Sequence, residues 1–471
     1  MTITADLSQE LAEFAANTRF ADLPPAAVEA AKQSVLDTIG VMLAASGMEP
    51  AVRPIIELVQ ESGGKGEATI LGYGNRVPAG AAAFANGALA HGLDFDSQTP
   101  WGAHADSSIV PTVLALAELR EGVTGEELIT AVAVGQEIFI RLRCNVGWHM
   151  DWNLSTVVGC FSATAAGGSI FKLDATQLAN ALGIASLQSS GTMEQIFGLG
   201  SDLRGMYAGF SSQASVNAVR LAARGMTGIR NLFEGEAGVF KVYFKGEYDR
   251  EKMVANLGKE FLSGGMTYKY WPAVGNAHTY IHAAIELMKE NDVDLAQISE
   301  VKVYVGDFQQ RMCSPLVERQ VPNTLVHAKF SLPFLVALAL AKGRMEVGDF
   351  TSDALKDETV LALARKVVPV PDSSYNWTAK LPDGKIDVVL GDGTRLSRLG
   401  SKVPGSVELP MTWEELFQKF GSCARAAAVP VSPERIEELC HSLQSLESVR
   451  DVRDVVSAVV SNDGIARRKS A

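Results

Sequence analysis

The sequence predicts a mainly α protein: a large all-helical domain built from both ends of the chain, with an α+β domain inserted between them. Three observations lead there. Up to about residue 265 the chain is rich in Ala and Gly, and its apolar residues recur at three- and four-residue steps, the period of a helix. Gly264-Gly265 then breaks the pattern, and strand-like alternation follows. From Thr412 the helical period returns. The predicted boundaries are 1–267 for the first part of the helical domain, 268–405 for the α+β domain, 406–460 for the rest of the helical domain, and 461–471 for a flexible tail.

Taken in order, Pro24-Pro25 opens a helix whose apolar face is Val28, Ala31, Val35, Leu36, Ile39 and Leu43. Thr124 before Gly125-Glu126-Glu127 reads as the N-cap of a helix over 128–142. Further helices are predicted at 157–171, 174–187 and 209–224, the last closed by Gly225. So many small residues imply helices packed with their backbones close together. Beyond the break, the pattern predicts a helix over 276–290, a strand over 298–305 and a helix over 330–341. A hairpin over 385–396 turns at Gly391-Asp392-Gly393. Helices at 412–420 and 433–446 complete the chain.

Composition narrows the function. Of 471 residues, 47% are apolar and 20% charged, with a net charge of −12. That balance argues against nucleic acid and anionic membranes as partners, while leaving room for a local cationic pocket that binds a small anion. The first residues lack the basic start and apolar run of a signal peptide, and no apolar stretch has the length of a membrane span, so a cytoplasmic protein is expected. The five cysteines show no paired metal spacing and are expected to be reduced. There is no GxGxxG opening a helix after a strand, no Walker-type loop and no GxSxG elbow.

The densest chemistry lies in Asn86-Gly87-Ala88-Leu89-Ala90-His91-Gly92-Leu93-Asp94-Phe95-Asp96 and the following Ala103-His104-Ala105. Two histidines and two carboxylates fall within fourteen residues of an otherwise apolar region, in a chain with seven histidines. Such groups must be satisfied, and clusters of this kind are where pKa values are perturbed. Acid/base chemistry by Asp94 and His104 is the favoured reading. A buried structural histidine with capping carboxylates is the alternative. A metal site is the third reading, disfavoured because Asp96 leads into a loop rather than a second ligand pair. A second cluster, Thr267-Tyr268-Lys269-Tyr270-Trp271-Pro272 with Asn276, His278 and His282, falls at the predicted junction of the two regions, where clefts form. Gly147-Trp148-His149 with Trp152-Asn153 reads as either a surface loop or a site segment. Arg204, in Ser201-Asp202-Leu203-Arg204-Gly205, is the cation best suited to clamp a carboxylate, if it is not simply solvated.

These segments, taken together, resemble the MmgE/PrpD family. The resemblance rests on NGALAHGLDFDS with His104, Leu36-Asp37-Thr38-Ile39-Gly40, and the 182–191 run LGIASLQSSG. Arg224-Gly225-Met226-Thr227-Gly228, Lys269-Tyr270-Trp271-Pro272 with His278, and Ala328-Lys329-Phe330-Ser331-Leu332-Pro333 complete it. It extends from about residue 7 to 460. The family implies an α+β lid on the helical domain, a homodimer, and a lyase or isomerase with neither metal nor organic cofactor. Its substrate would be a small carboxylic acid resembling 2-methylcitrate. The implied reaction is proton transfer next to a carboxylate during dehydration or hydration; decarboxylation, epimerisation, or a non-catalytic binding protein on the same fold are the alternatives. By position Asp94, His104, Lys269 and His278 would be catalytic, and Arg204, His149, Trp101 and Asn153 would bind substrate. Arg204 stands where relatives commonly carry a lysine. About four extra residues follow Gly147-Trp148-His149, so that either His149 or Asn153 is expected to line the pocket. Four of the six tryptophans, Trp101, Trp148, Trp152 and Trp271, lie in site-forming segments, which suggests a substrate more apolar and less carboxylated than citrate.

Overall fold

The computed structural model describes residues 5–198, 201–378 and 380–460; the expected tail from 461 lies outside them. Two large hydrophobic cores organise the chain. The first draws on residues from Leu7 to Tyr268 and again from Met411 to Val459, joined by Val347. The second runs from Trp271 to Val388, with Met193 reaching in from the first region.

Small residues set the architecture of the helical region. The helices Ala79–Gly92 and Leu203–Ala222 cross so closely that a Cβ on Gly87 would stand 2.7 Å from the Gly209 Cα, and one on Gly209 would stand 2.4 Å from the Phe84 carbonyl oxygen. Only glycine allows that approach. The crossing matters because the end of the first helix delivers His91, and the first turns of the second deliver Arg204 and Tyr207. Alongside lie Asp106–Arg120, Gly125–Cys144 and Leu154–Ile170. Thr124 caps the second of these in a reciprocal box with Glu127. The Pro25–Met48 helix packs against Trp413–Arg425, which ties the two ends of the chain together.

The second region carries a four-stranded sheet in the order Val367–Pro371, Ile298–Val305, Gly384–Leu390, Arg395–Gly400. The first pair is parallel and the other two antiparallel. The His278–Glu290 helix sits directly on Gly384 and Gly400, where a Cβ would collide with Thr279 and Tyr280. That contact fixes the start of the helix, and His278 with it.

The hairpin turns where predicted, between Gly384–Leu390 and Arg395–Gly400. The strand Val367–Pro371 was not predicted: its sequence Val-Val-Pro-Val-Pro lacks alternation, and its prolines are tolerated because it lies at the sheet edge. The helix expected from 209 begins at Leu203, so Arg204 belongs to its first turn rather than to a preceding loop. Among the described residues no single helix is long and apolar enough to cross a membrane.

Candidate active site

The Ala79–Gly92 helix ends beside the site, and its last carbonyls need donors. Three lysines from distant parts of the chain supply them to this end and the turn that follows. Lys329 Nζ donates to Gly92 O at 3.2 Å, Lys269 Nζ to Asp94 O at 2.8 Å, and Lys419 Nζ to Phe95 O at 2.8 Å. Each is buried and neutralised by its own carboxylate: Glu49 at 2.7 Å for Lys329, Asp37 at 2.6 Å for Lys419, and the Asp94 side chain for Lys269. Within this clamp Asp94 adopts φ +48°, a left-handed conformation that Asp tolerates better than most residues, and Ala103 adopts φ +72°.

The held loop brings four polar groups together. His91 Nδ1 lies 3.0 Å from Asp96 Oδ1, and His104 Nδ1 lies 3.1 Å from Asp96 Oδ2. His104 Nδ1 also lies 2.9 Å from the Ser97 carbonyl oxygen. A carbonyl only accepts, so Nδ1 carries the proton and Nε2 keeps its lone pair. Nε2 stands 3.6 Å from Asp94 Oδ1, and the second Asp94 oxygen is buried with no hydrogen-bond partner. The two imidazoles lie 4.6 Å apart between centroids, and Tyr207 packs on His91 at 4.4 Å.

Electrostatics fix the protonation states. Burial alone would raise the Asp94 carboxyl, but the Lys269 ammonium and the two imidazoles hold it below the usual carboxylate range. Burial also opposes ionisation of Asp96, and His104 and His91 outweigh it, keeping that carboxyl well below its ordinary value. Burial pushes His91 down, so it stays neutral. Burial, reinforced by Lys269, drives His278 down to about 3. Two carboxylates and one ammonium therefore leave the centre one negative charge.

A cavity opens onto His104, Asp94 and His91. Arg204 enters it from the start of its helix, donating through Nη1 to Ile196 O, with its guanidinium 3.2 Å from the Phe330 ring centroid and its Nε buried without an acceptor. Burial lowers its pKa to about 9, still a cation at neutral pH. Asn153 also lines the cavity. Its Oδ1 caps the Leu154–Ile170 helix at the Ser155 N–H, while its buried Nδ2 has no acceptor. Lys269 and His278 line a second cavity that shares Gln98, Gly275 and Leu381 with the first. His278 Nε2 donates to Ala273 O at 3.2 Å.

Two expected binding residues are placed elsewhere. His149 sits on an exposed loop, its Nε2 paired with Glu247 at 2.9 Å, because the extra residues after it carry the chain to Asn153 before the helix begins. Trp101 does not line the cavity; its carbonyl accepts from Arg143 Nη2 at 3.0 Å. Trp152 packs on Tyr243 and Trp271 on His278, so of the four tryptophans only Trp148 faces the cavity. The apolar wall comes instead from Trp148 together with Trp377, Phe308 and Phe330.

Sequence reasoning missed Asp96 as the partner of both histidines, and it missed Arg143, which lines the cavity from the last turn of Gly125–Cys144. A basic residue in that position reads as ordinary complement to a helix end. His91, Asp94, Asp96 and His104 could by geometry also hold a metal ion, their ligand atoms lying within 4.8 Å of one another. Asp94 and Asp96 already have their counter-charges and donors in Lys269, His91 and His104, so a metal would have to displace these.

Comparison with known proteins yields two family matches. The MmgE/PrpD N-terminal domain matches residues 9–251, and the MmgE/PrpD C-terminal domain matches residues 271–445. The chain is 25% identical over 466 residues to a cis-aconitate decarboxylase of Aspergillus terreus, covering 93% of each chain. It is 23% identical over 410 residues to the cis-aconitate decarboxylase of Mus musculus, covering 83% of this chain and 81% of that one. It is 22% identical over 408 residues to the 2-methylcitrate dehydratase of Escherichia coli, covering 80% of this chain and 81% of that one.

Proposed function

The chain belongs to the MmgE/PrpD family, and from that premise we propose that it is a lyase acting on a small carboxylic acid by proton transfer at the carbon next to a carboxylate. The observation that carries the reading is the locked His104. Its Nδ1–H is held by Ser97 O and Asp96, which turns a basic Nε2 toward a cavity that also contains a buried cation, Arg204.

The reaction proposed is elimination of water from a hydroxy acid. His104 Nε2 takes the proton α to the carboxylate, and the C–H electron pair moves into the carboxylate as an enediolate. That pair then forms the C=C bond as the β C–O bond breaks. The hydroxyl leaves as water with the proton returned by the His104 imidazolium. Arg204 holds the carboxylate and stabilises the developing charge. Asp94 is ionised, so it orients His104 and favours the imidazolium rather than donating a proton. Lys269 fixes Asp94, and neutral His278 offers only hydrogen bonding.

Decarboxylation is the second reading, favoured by the longer match to cis-aconitate decarboxylases, 93% of the chain against 80% for the bacterial dehydratase. There the same imidazolium would protonate the carbanion left by carbon dioxide. The test is proton NMR in D₂O with 2-methylcitrate, citrate, cis-aconitate and less carboxylated hydroxy acids. Deuterium incorporation or alkene formation is expected, lost by at least about 10³-fold in His104→Ala with the fold intact. Unchanged turnover in that variant, or no reaction of wild type with any acid, would overturn the proposal. Loss of water or of carbon dioxide from the product separates the two readings.

A further inference from the structure

The cavity has two features that proton transfer does not use. The first is Arg143. Its Nη2 donates to Trp101 O, its guanidinium lies 5.3 Å from the Trp148 ring centroid, and its Nε is enclosed without an acceptor. Five buried cations are paired with carboxylates: Lys32 with Glu29, Arg141 with Glu137, Lys269 with Asp94, Lys329 with Glu49 and Lys419 with Asp37. Among the described residues, Arg143 and Arg204 have no carboxylate within ion-pair distance, and both line the same cavity. Arg319 is likewise unpaired, but it spends its guanidinium on the Ser314 and Phe330 carbonyls and does not itself line the cavity. An enclosed cation without a counter-ion is costly unless an anion arrives to meet it.

The second feature is the wall beside these arginines. Trp377 packs edge-on against both Trp148, at 5.3 Å, and Phe308, at 5.1 Å, and Leu381 completes the surface. It offers a carboxylate no cation, but it suits a hydrocarbon or aromatic group.

We infer that Arg143 and Arg204 each hold a carboxylate of one substrate, and that this substrate is a dicarboxylic acid with an apolar arm lodged against Trp148, Phe308 and Trp377. This deepens the proposed function and rests on the cavity being the reaction site. Arg143 is then a specificity-determining residue: it sets which acids fit, and His104 performs the proton transfer.

The test is calorimetric binding of three probes: benzylsuccinate, with two carboxylates and an aromatic arm; 3-phenylpropionate, with the same arm and one carboxylate; and tricarballylate, with three carboxylates and no arm. Benzylsuccinate is expected to bind tightest to wild type. Arg143→Met should weaken it about 10–100-fold, the worth of a charge-assisted hydrogen bond, while 3-phenylpropionate, which can still use Arg204, changes by less than about 3-fold. Arg143→Lys should restore part of the loss. Tricarballylate binding more tightly than benzylsuccinate, equal losses for the one- and two-carboxylate probes, or no binding by any probe would overturn the inference. Binding and deuterium exchange are read separately. His104-dependent exchange without the Arg143 pattern sinks this inference alone, and the Arg143 pattern without exchange sinks the lyase reading alone.

Discussion

Asp96→Asn changes one buried atom and tests the proton-transfer geometry directly. Asp96 accepts from His91 Nδ1 at 3.0 Å and faces His104 Nδ1 at 3.1 Å. An asparagine side chain would turn an NH₂ group onto one of these two N–H donors. If that is His104, the ring is driven to the other tautomer and Nε2 loses its lone pair. In Ser-His-Asp hydrolases the corresponding change costs about 10⁴ in kcat. Here Ser97 O, 2.9 Å from Nδ1, still favours the productive tautomer, by about 1 kcal/mol or several-fold. The lost charge matters as well. A carboxylate 3.1 Å from an imidazolium is worth up to about 5 kcal/mol at an effective dielectric constant of about 20. Water entry and the remaining Asp94 charge would offset part of that. The expected fall in kcat is therefore about 10²- to 10⁴-fold, with KM altered far less. The assay is initial-rate kinetics on the acid that shows exchange, with circular dichroism to confirm an unchanged melting transition. A kcat within about 3-fold of wild type would show that Asp96 does not orient the base, and the tautomer reasoning would fall with it.

Two further outcomes follow from buried charges. His278 titrates near 3 when folded and near the ordinary imidazole value of 6.5 when unfolded, so the unfolded chain binds the proton first as pH falls. This stability is fully present above 6.5 and is lost progressively toward 3. Its share is about 2 kcal/mol between pH 7 and pH 5, readable as a shift in urea midpoint, and His278→Asn should flatten that slope; an unchanged slope would place the acid sensitivity elsewhere. Lys329→Met leaves Glu49 buried without its partner and Gly92 O without its donor. It should cost about 3–5 kcal/mol in urea unfolding at pH 7; a loss below about 1 kcal/mol would mean that the clamp does not hold the loop.

What the sequence disclosed divides along physical lines. Helix periods, the Thr124 cap and the Gly391-Asp392-Gly393 turn are local properties, and each was readable from neighbouring residues. Asp94 and His104 stand out in the sequence because charge is conspicuous in an apolar frame, and Lys269 reaches Asp94 across 175 positions of chain, while His278 lines the neighbouring cavity. His149 was less so, because a loop insertion moves a side chain without changing its identity. Arg143 was hidden by an ordinary setting, and the apolar wall by its dispersion: Trp377 and Phe308 come from the second region and Trp148 from the first.

The lysine clamp explains why the most important geometry could not be read locally. The left-handed backbone at Asp94 costs about 1 kcal/mol or more, and it is held by cations at positions 269, 329 and 419 rather than by neighbours. Lys329 comes from the second region, Lys269 from the segment between the two cores and Lys419 from the returning helical region, so the loop's working shape draws on all three. Lys419 Nζ also donates to Lys269 O at 2.8 Å, which links two of the three clamps. The base itself is part of the same assembly, because Ser97 and Asp96, which hold His104 Nδ1, lie directly after the clamped carbonyls. Docking of the second region thus does more than cover the cavity: it sets the backbone that orients the base. A helical region folded alone would keep both histidines and both carboxylates of the cluster, but it would lack Lys329 and the core that anchors the segment carrying Lys269.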